Sequence, residues 1–156
     1  MEYNCNPFEK FNSQWALVTA GTPESFNTMT ISWGSMGTLW NKPVITVYIR
    51  PDRHTCNFMK EADTFTVSFY DDCHHPALRQ LGTLSGRDGD KVAKVGFTPK
   101  MLENGITFEQ AKETFVCKKI YAQQLNWDDV PEFAHKIYGT CTDPHIVFVG
   151  EVVEVL

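Results

Sequence analysis

The chain has 156 residues, 42% of them hydrophobic and 13% aromatic, which predicts one globular domain over residues 1–156 rather than a disordered segment. Its formal net charge is -5 and it contains no basic run, which argues against a nucleic-acid partner. No apolar stretch approaches the length of a membrane span and the N-terminus lacks a signal-peptide pattern, so we expect no membrane partner and a cytoplasmic location.

The first predicted elements are short. We expect an irregular lead-in over Met1–Ser13, an apolar strand at Trp15–Thr19 and a turn at Gly21–Glu24. Apolar and hydroxyl side chains then alternate, with Met29, Ile31 and Trp33 on one face and Thr28, Thr30 and Ser32 on the other. This alternation predicts a strand whose hydroxyl face either meets solvent or offers hydrogen bonds to a planar polar ring.

A linker is expected at 34–43, where two glycines permit a close approach to a ligand and Trp40 either stacks on a ring or a partner chain or lies in the core. The next strand, Val44–Arg50, ends at Pro51, and Thr55 is the expected N-cap of a helix at Cys56–Ala62. The turn between the strand and the helix carries Arg50, Arg53 and His54. Free N–H groups at a helix start, together with these cationic side chains, predict an anion site suited to a phosphate.

The remaining pattern is mostly that of strands. Thr64–Tyr70 alternates clearly, and a helix starting at Pro76 has one buried face of leucines, Leu78, Leu81 and Leu84. A polar loop at Ser85–Asp90 leads to a short helix at Lys91–Gly96, and only short strands are expected over Phe97–Lys112. The last elements expected are a strand at Thr114–Leu125, a helix at Asp128–Ile137 and a strand at Ile146–Leu156 with a bulge at Gly150. Because there is no βαβ rhythm and no GxGxxG after a strand, these elements predict an antiparallel barrel and exclude a Rossmann domain.

The five cysteines are Cys5, Cys56, Cys73, Cys117 and Cys141. Their odd number and the lack of a CxxC pair argue against a disulfide framework. The compact run Cys73-His74-His75 contains metal-ligand residue types, but no further ligands follow at zinc spacing, so we expect no metal here. A thiol or metal enzyme centred on this run is kept as an alternative.

Four segments together resemble the flavin reductase-like family of FMN-binding split barrels, and its flavoredoxin branch in particular. They are NTMTISW, RPDRHT, the Ser85-Gly86-Arg87-Asp88 loop with Lys91, and DPHIVFVGEV near the end. The resemblance covers Trp15 to Val155. It implies a mainly β chain, an antiparallel Greek-key split β-barrel with a few short peripheral helices. It also implies a homodimer with FMN in the groove between the subunits, and NAD(P)H or a redox-partner protein as the source of electrons.

The resemblance also implies roles for particular residues. Thr30 and Ser32 would face the isoalloxazine edge, and Met29 and Trp33 would lie against its apolar side or in the core. The full set of implied cofactor-binding residues is Thr28, Met29, Thr30, Ser32, Trp33, Arg50, Arg53, His54, Thr55, Ser85, Arg87 and Lys91. His145 follows Asp143-Pro144 and resembles the histidine of the family's aspartate–histidine pair, although the proline departs from it. As the candidate catalytic residue it docks a reductant or donates a proton near neutral pH, or else it only anchors a strand.

Three function classes follow. The first is an FMN-dependent oxidoreductase, either an NAD(P)H:flavin reductase or a flavoredoxin-type electron carrier, and the sequence does not choose between them. The second is a non-catalytic barrel that binds haem or another flavin, with His54 or His145 as an axial ligand. The third is the thiol or metal enzyme described above.

Overall fold

The computed structural model describes residues 3–156, so the first two residues of the predicted lead-in lie outside the described residues. Its strands are β1 (Ala16–Thr22), β2 (Ser25–Ile31), β3 (Gly34–Leu39), β4 (Lys42–Ile49), β5 (Thr64–Phe69), β6 (Pro99–Leu102), β7 (Gly105–Phe108), β8 (Glu113–Gln124) and β9 (Ile146–Val155). Its helices are α1 (Pro7–Glu9), α2 (His54–Glu61), α3 (His75–Thr83), α4 (Lys91–Lys94) and α5 (Glu132–Tyr138). None of these helices is long and apolar enough to cross a membrane.

Seven strands form one sheet in the order β2-β1-β5-β8-β9-β4-β3, and β6 and β7 form a separate hairpin. Every strand pair is antiparallel, which confirms the mainly β, antiparallel prediction. β2 also contacts β4, although the two strands are far apart in the sheet order and share no hydrogen-bonded register. The sheet therefore curls on itself and leaves an open seam between β2 and β4.

The curled sheet separates two apolar clusters. The inner cluster contains Val18, Phe65, Phe69 and Phe148, all of them at most 2% exposed. The outer cluster lies beneath α3 and the β6-β7 hairpin and contains Leu17, Tyr70, Leu78, Leu81 and Phe108. β5 is buried on both faces beyond its first residue for this reason, and the hydroxyls of Thr66 and Ser68 bond to β7 and β8 instead of facing water.

The lead-in and the linker both differ from the sequence prediction. The lead-in is helical from Pro7 to Gln14, because Asn6 accepts a hydrogen bond from the Phe8 amide and Pro7 occupies the first helical turn. The predicted linker at 34–43 is a hairpin of β3 and β4, closed by Trp40 and Asn41, which both have positive φ. Trp40 is 63% exposed, so it does not belong to the core.

The bulge predicted at Gly150 is present at that point of the β8-β9 ladder, but its extra residue, Ile120, lies on β8 and not on β9. Gly150 pairs in regular register with Ile45 on β4, and β9 continues through it without a break. On the β8 side, Gly150 pairs with Lys119 and Val149 pairs with Tyr121, so the register shifts by one residue at this point. A second shift lies between Val116 and Cys117. A glycine is needed at 150 for space, since a Cβ there would lie 2.6 Å from Phe65 and 2.6 Å from Cys117.

The predicted helix over Asp128–Ile137 is two shorter elements, a 3₁₀ turn at Trp127–Asp129 and α5. Pro131 separates them, because it has extended dihedral angles and serves as the N-cap of α5. The other predicted helices and strands are present within a few residues of their expected bounds.

Candidate functional site

Two cavities adjoin at the open seam. The first, here called the seam cavity, has a volume of about 180 Å³ and lies where β2 and β4 end, next to the start of α2 and of β9. It is lined by Met29, Thr30, Ile31, Ser32, Trp33, Tyr48, Arg50, Arg53 and His145. The second, here called the corner cavity, has a volume of about 170 Å³ and is lined by Asn27, Asp52, Arg53, His54, Thr55, Leu84, Ser85, Gly86, Arg87 and Lys91. Arg53 lines both cavities, so the two form one continuous surface.

The predicted site residues gather at this surface with one exception. Thr28 is fully buried, and its hydroxyl donates a hydrogen bond to the Val18 carbonyl at 3.1 Å and lies 2.9 Å from the Thr19 hydroxyl. It lines neither cavity. Period-two alternation places Thr28 on the same face as Thr30, but it does not show that α3 and its neighbours cover one end of that face.

Thr30 lines the seam cavity, but its hydroxyl already makes a hydrogen bond within the protein. Its hydroxyl donates to the Leu78 carbonyl of α3 at 2.5 Å, which leaves only the oxygen lone pairs for a ligand. Met29 belongs to the inner cluster and reaches the cavity only at its edge. Trp33, by contrast, is 43% exposed and offers a ring face outside the core.

The corner cavity is strongly cationic. The side chains of Arg53, Arg87 and Lys91 line it, and Asp52 is the only carboxylate among the lining residues of either cavity. Asp52 contacts two arginines: its side chain accepts a hydrogen bond from Arg50 at 3.2 Å, and its backbone carbonyl accepts one from Arg87 at 3.2 Å. The positive charge therefore exceeds the negative charge, which suits an anionic ligand.

Burial of the charged side chains of Lys91 and Arg53 costs free energy in the protein without a bound anion. The Lys91 side chain is 3% exposed and donates to the carbonyls of Leu81 and Leu84, both at 3.0 Å. Burial, with the nearby Arg53 charge adding to it, lowers the pKa of Lys91 to about 8. Burial also lowers the pKa of Arg53, whose guanidinium donates to the Gly82 carbonyl at 2.7 Å. An anion bound here would offset both penalties.

The start of α2 differs from its prediction. Arg53, with extended dihedral angles, occupies the N-cap position, and Thr55 lies inside the first turn. The Thr55 hydroxyl instead accepts a hydrogen bond from the Asn27 amide at 2.8 Å, which links β2 to α2. Next to it, a Cβ at Gly86 would lie 2.2 Å from the Asn27 side-chain oxygen, so a larger residue would force the Asn27 side chain to move. Asn27 therefore organises the corner cavity.

At the opposite end of the surface formed by the two cavities, His145 lies between Trp33 and Tyr138. Its ring is 8% exposed, and its Nδ1 lies 2.7 Å from the Tyr138 hydroxyl. Burial, followed by the charge of Arg50 and opposed by Asp52, lowers the pKa of His145 to about 4. The imidazole is therefore neutral near pH 7, which does not favour its interpretation as a proton donor there. The Asp143 carboxylate bonds to Gln124 instead of His145.

Six residues that line the two cavities are absent from the predicted set: Ile31 and Tyr48 at the seam cavity, and Asn27, Asp52, Leu84 and Gly86 at the corner cavity. Asn27 directly precedes the run of alternating hydroxyl residues that starts at Thr28. Tyr48 alternates with buried residues along β4, so period-two spacing could have placed it on the same face as Arg50. The contact of Asn27 with α2 had no local signal, since it joins residues 28 positions apart.

Cys73, His74 and His75 lie away from this surface. Cys73 is exposed, His74 packs against Tyr70 and Phe97, and His75 bonds to the Gln14 carbonyl at 3.0 Å. Among the described residues there is no group of three side chains placed to hold a metal, and all five cysteines are free thiols.

Comparison with known proteins defines the class. Residues 8–156 match the family described as the flavin reductase like domain, and the chain belongs to this family. No sequence among curated proteins shows significant similarity to the chain.

Solved structures of split-barrel proteins have the same fold. An FMN-binding protein from Thermus thermophilus superposes with a TM-score of 0.73 at 22% identity over 100% of this chain and 79% of that chain. The flavoredoxin of Desulfovibrio vulgaris gives a TM-score of 0.71 at 23% identity over 91% of this chain and 68% of that chain. A Streptomyces globisporus NADH:FAD oxidoreductase gives a TM-score of 0.70 at 17% identity over 96% of this chain and 77% of that chain. These similarities confirm the predicted split-barrel fold class.

Proposed function

We propose that this protein is an FMN-binding oxidoreductase that works as a flavin reductase or as a flavoredoxin-type electron carrier. The observation that carries the proposal is the position of Arg53, which joins a cavity suited to a planar ring to a cavity suited to a phosphate. Bound FMN would supply the electron chemistry, and the chain would bind and orient it.

The phosphate end is assigned to the corner cavity. Arg53, Arg87 and Lys91 supply charge, the Ser85 hydroxyl and the first turn of α2 supply neutral polar groups, and Gly86 lets the backbone approach. Arginine fits a phosphate because its planar fork donates two parallel hydrogen bonds. The fit rests on the excess of buried positive charge, which only an anion would balance.

The ring end is assigned to the seam cavity. Arg50, Ser32 and His145 bring hydrogen-bond donors to its wall, and Trp33 brings an exposed aromatic face. Donors beside a flavin ring stabilise the negative charge of its reduced form. A third, larger groove of about 630 Å³ adjoins through Ser32, Trp33 and Tyr48 and gives a substrate room to approach.

The functional unit is proposed to be a homodimer, with FMN between the subunits. The two cavities lie at an open seam on the surface of one chain, so a second chain would cover a cofactor bound there. Large side chains also stay exposed along one chain, with Phe8 at 83%, Phe133 at 75% and Trp40 at 63%. A second copy would cover such residues and complete the groove. A cytoplasmic location remains a prediction.

The proposal is tested on freshly purified protein. We expect a paired flavin absorption band, and a colourless protein that refuses added FMN would contradict the proposal. Fast anaerobic bleaching by NADH or NADPH in a stopped-flow instrument would identify a reductase. Absence of bleaching by either, with fast exchange from a redox-partner protein, would identify an electron carrier. A Soret band in place of the flavin band would identify a haem protein instead.

The buried Lys91 predicts how FMN affinity depends on pH. Its pKa is about 8 in the free protein, and a bound phosphate would raise that pKa, so binding is coupled to proton uptake at Lys91 above pH 8. We expect FMN affinity to fall by about fivefold between pH 7 and pH 9, measured by quenching of FMN fluorescence. Lys91→Met should flatten this pH dependence, whereas the matched change Lys94→Met on the exposed face of α4 should retain it. An unchanged wild-type affinity at pH 9 would show that Lys91 does not face the phosphate.

A further inference from the structure

His145 and Tyr138 form a buried pair beside the seam cavity. The Tyr138 hydroxyl lies 2.7 Å from Nδ1 of His145, and each side chain is 8% exposed. Tyr138 is the last residue of α5, whereas His145 directly precedes β9. Among residues 3–156, neither side chain makes another hydrogen bond.

Because the two side chains have no other hydrogen-bond partner in the described residues, the positions of the tyrosine and histidine protons follow from this one contact. A neutral imidazole carries one N–H and one acceptor nitrogen, and a phenol carries one O–H. If Nδ1 donated to Tyr138, the phenol proton would have no acceptor at a buried position, which costs the full desolvation penalty of that group. If Tyr138 donates to Nδ1, the phenol proton and Nδ1 are both paired, and the histidine proton lies on Nε2, where solvent or a ligand in the seam cavity would accept it.

The pair is also held rigidly. The rings of Trp33 and Tyr138 pack on His145 with centroids at 4.9 Å and 5.4 Å, and Trp127 packs edge-on against Tyr138 at 5.6 Å. The backbone is fixed too, since the His145 carbonyl accepts a hydrogen bond from the Leu125 amide at 3.0 Å. Such packing leaves the imidazole little freedom to rotate.

We propose that Tyr138 is a positioning residue that holds His145 in the tautomer with its proton on Nε2. Because Nδ1 is occupied, Nε2 is the nitrogen left for a ligand, and it gives the seam cavity a neutral N–H donor. Its ligand partner is a carbonyl oxygen or a ring nitrogen of a planar molecule. The tyrosine thus does what a carboxylate would do in an aspartate–histidine pair, since Asp143 is engaged by Gln124.

The charged groups around His145 agree with a neutral donor. Arg50 and Arg53 share the cavity wall with it and disfavour a third positive charge, and Asp52, which would favour one, is paired with Arg50. The proposed contact between Nε2 and a ligand, here called the ligand half of the proposal, rests on the proposed function. The proposed tautomer of His145 does not.

Nitrogen-15 NMR of histidine-labelled protein without added ligand tests the tautomer near pH 7. We expect the wild-type His145 signals, assigned by their loss in His145→Asn, to show a protonated Nε2 and an unprotonated Nδ1. Tyr138→Phe should abolish this preference. The matched control is Tyr70→Phe, since Tyr70 is also buried but its hydroxyl has no partner among the described residues, and it should leave the His145 signals unchanged.

A protonated Nδ1 in the wild type would overturn the proposal, and this holds even if Tyr138→Phe fails to fold. With FMN bound, Tyr138→Phe should lower the midpoint potential of the flavin while changing FMN affinity by less than about twofold. An unchanged potential would overturn the ligand half. A protein that binds no FMN would refute the proposed function and leave the NMR result to decide the tautomer.

Discussion

Replacing Arg53 with alanine is expected to weaken FMN binding by roughly 10- to 150-fold, which corresponds to a charge-assisted contact of about 1.5–3 kcal/mol. The guanidinium lies at the junction of the two cavities, where it would reach the cofactor phosphate. Its own charge is partly desolvated there, so a phosphate would gain a stronger contact than at an exposed arginine. Fluorescence titration with FMN measures the loss.

Riboflavin provides the internal control, because it has the same ring and no phosphate. Its affinity for Arg53→Ala should change little, and equal losses for the two flavins would show that Arg53 does not contact the phosphate. Arg79→Ala is the matched protein control, since Arg79 is an exposed arginine of α3 that lines neither cavity. Arg53 also donates to Gly82, so the melting temperature of each variant should be measured beside its affinity.

Gly150→Ala is expected to lower the free energy of unfolding by about 2–3 kcal/mol. The added methyl group would enter a space already occupied by Phe65 and Cys117, which are both buried and belong to the inner cluster. Packing at this density cannot absorb a carbon atom without moving neighbouring side chains or backbone. Urea denaturation followed by tryptophan fluorescence gives the free energy.

Gly37→Ala is the matched control for this change. Gly37 also lies in a strand, β3, but nothing lies within 4 Å of the Cβ position. Alanine there should be neutral or slightly stabilising, because it reduces the freedom of the unfolded chain. If both variants lost the same stability, steric crowding at Gly150 would not be the cause.

Much of the candidate site could be predicted from the sequence because its chemistry is local. The hydroxyl alternation before Trp33 and the cationic turn after Tyr48 are visible as short patterns, and the two do meet at the seam. Gly150 shows the limit of such reasoning, since a glycine within a strand pattern predicts either a bulge or a close contact, and here both occur. The sequence did not show that the extra residue lies on β8 or that Phe65 and Cys117 leave no space for a side chain at 150.

The sequence by itself determined the antiparallel architecture, the position of most strands and the cationic residues of the corner cavity, because period-two alternation and turn residues act within a few positions. The tertiary structure alone decided that Thr28 is fully buried, that Asn27 joins β2 to α2 and that Tyr138, rather than Asp143, is hydrogen-bonded to His145. These outcomes depend on burial and on hydrogen-bond partners from distant parts of the chain. The free energy of a buried polar group is set by the partner that reaches it, and no local pattern specifies that partner.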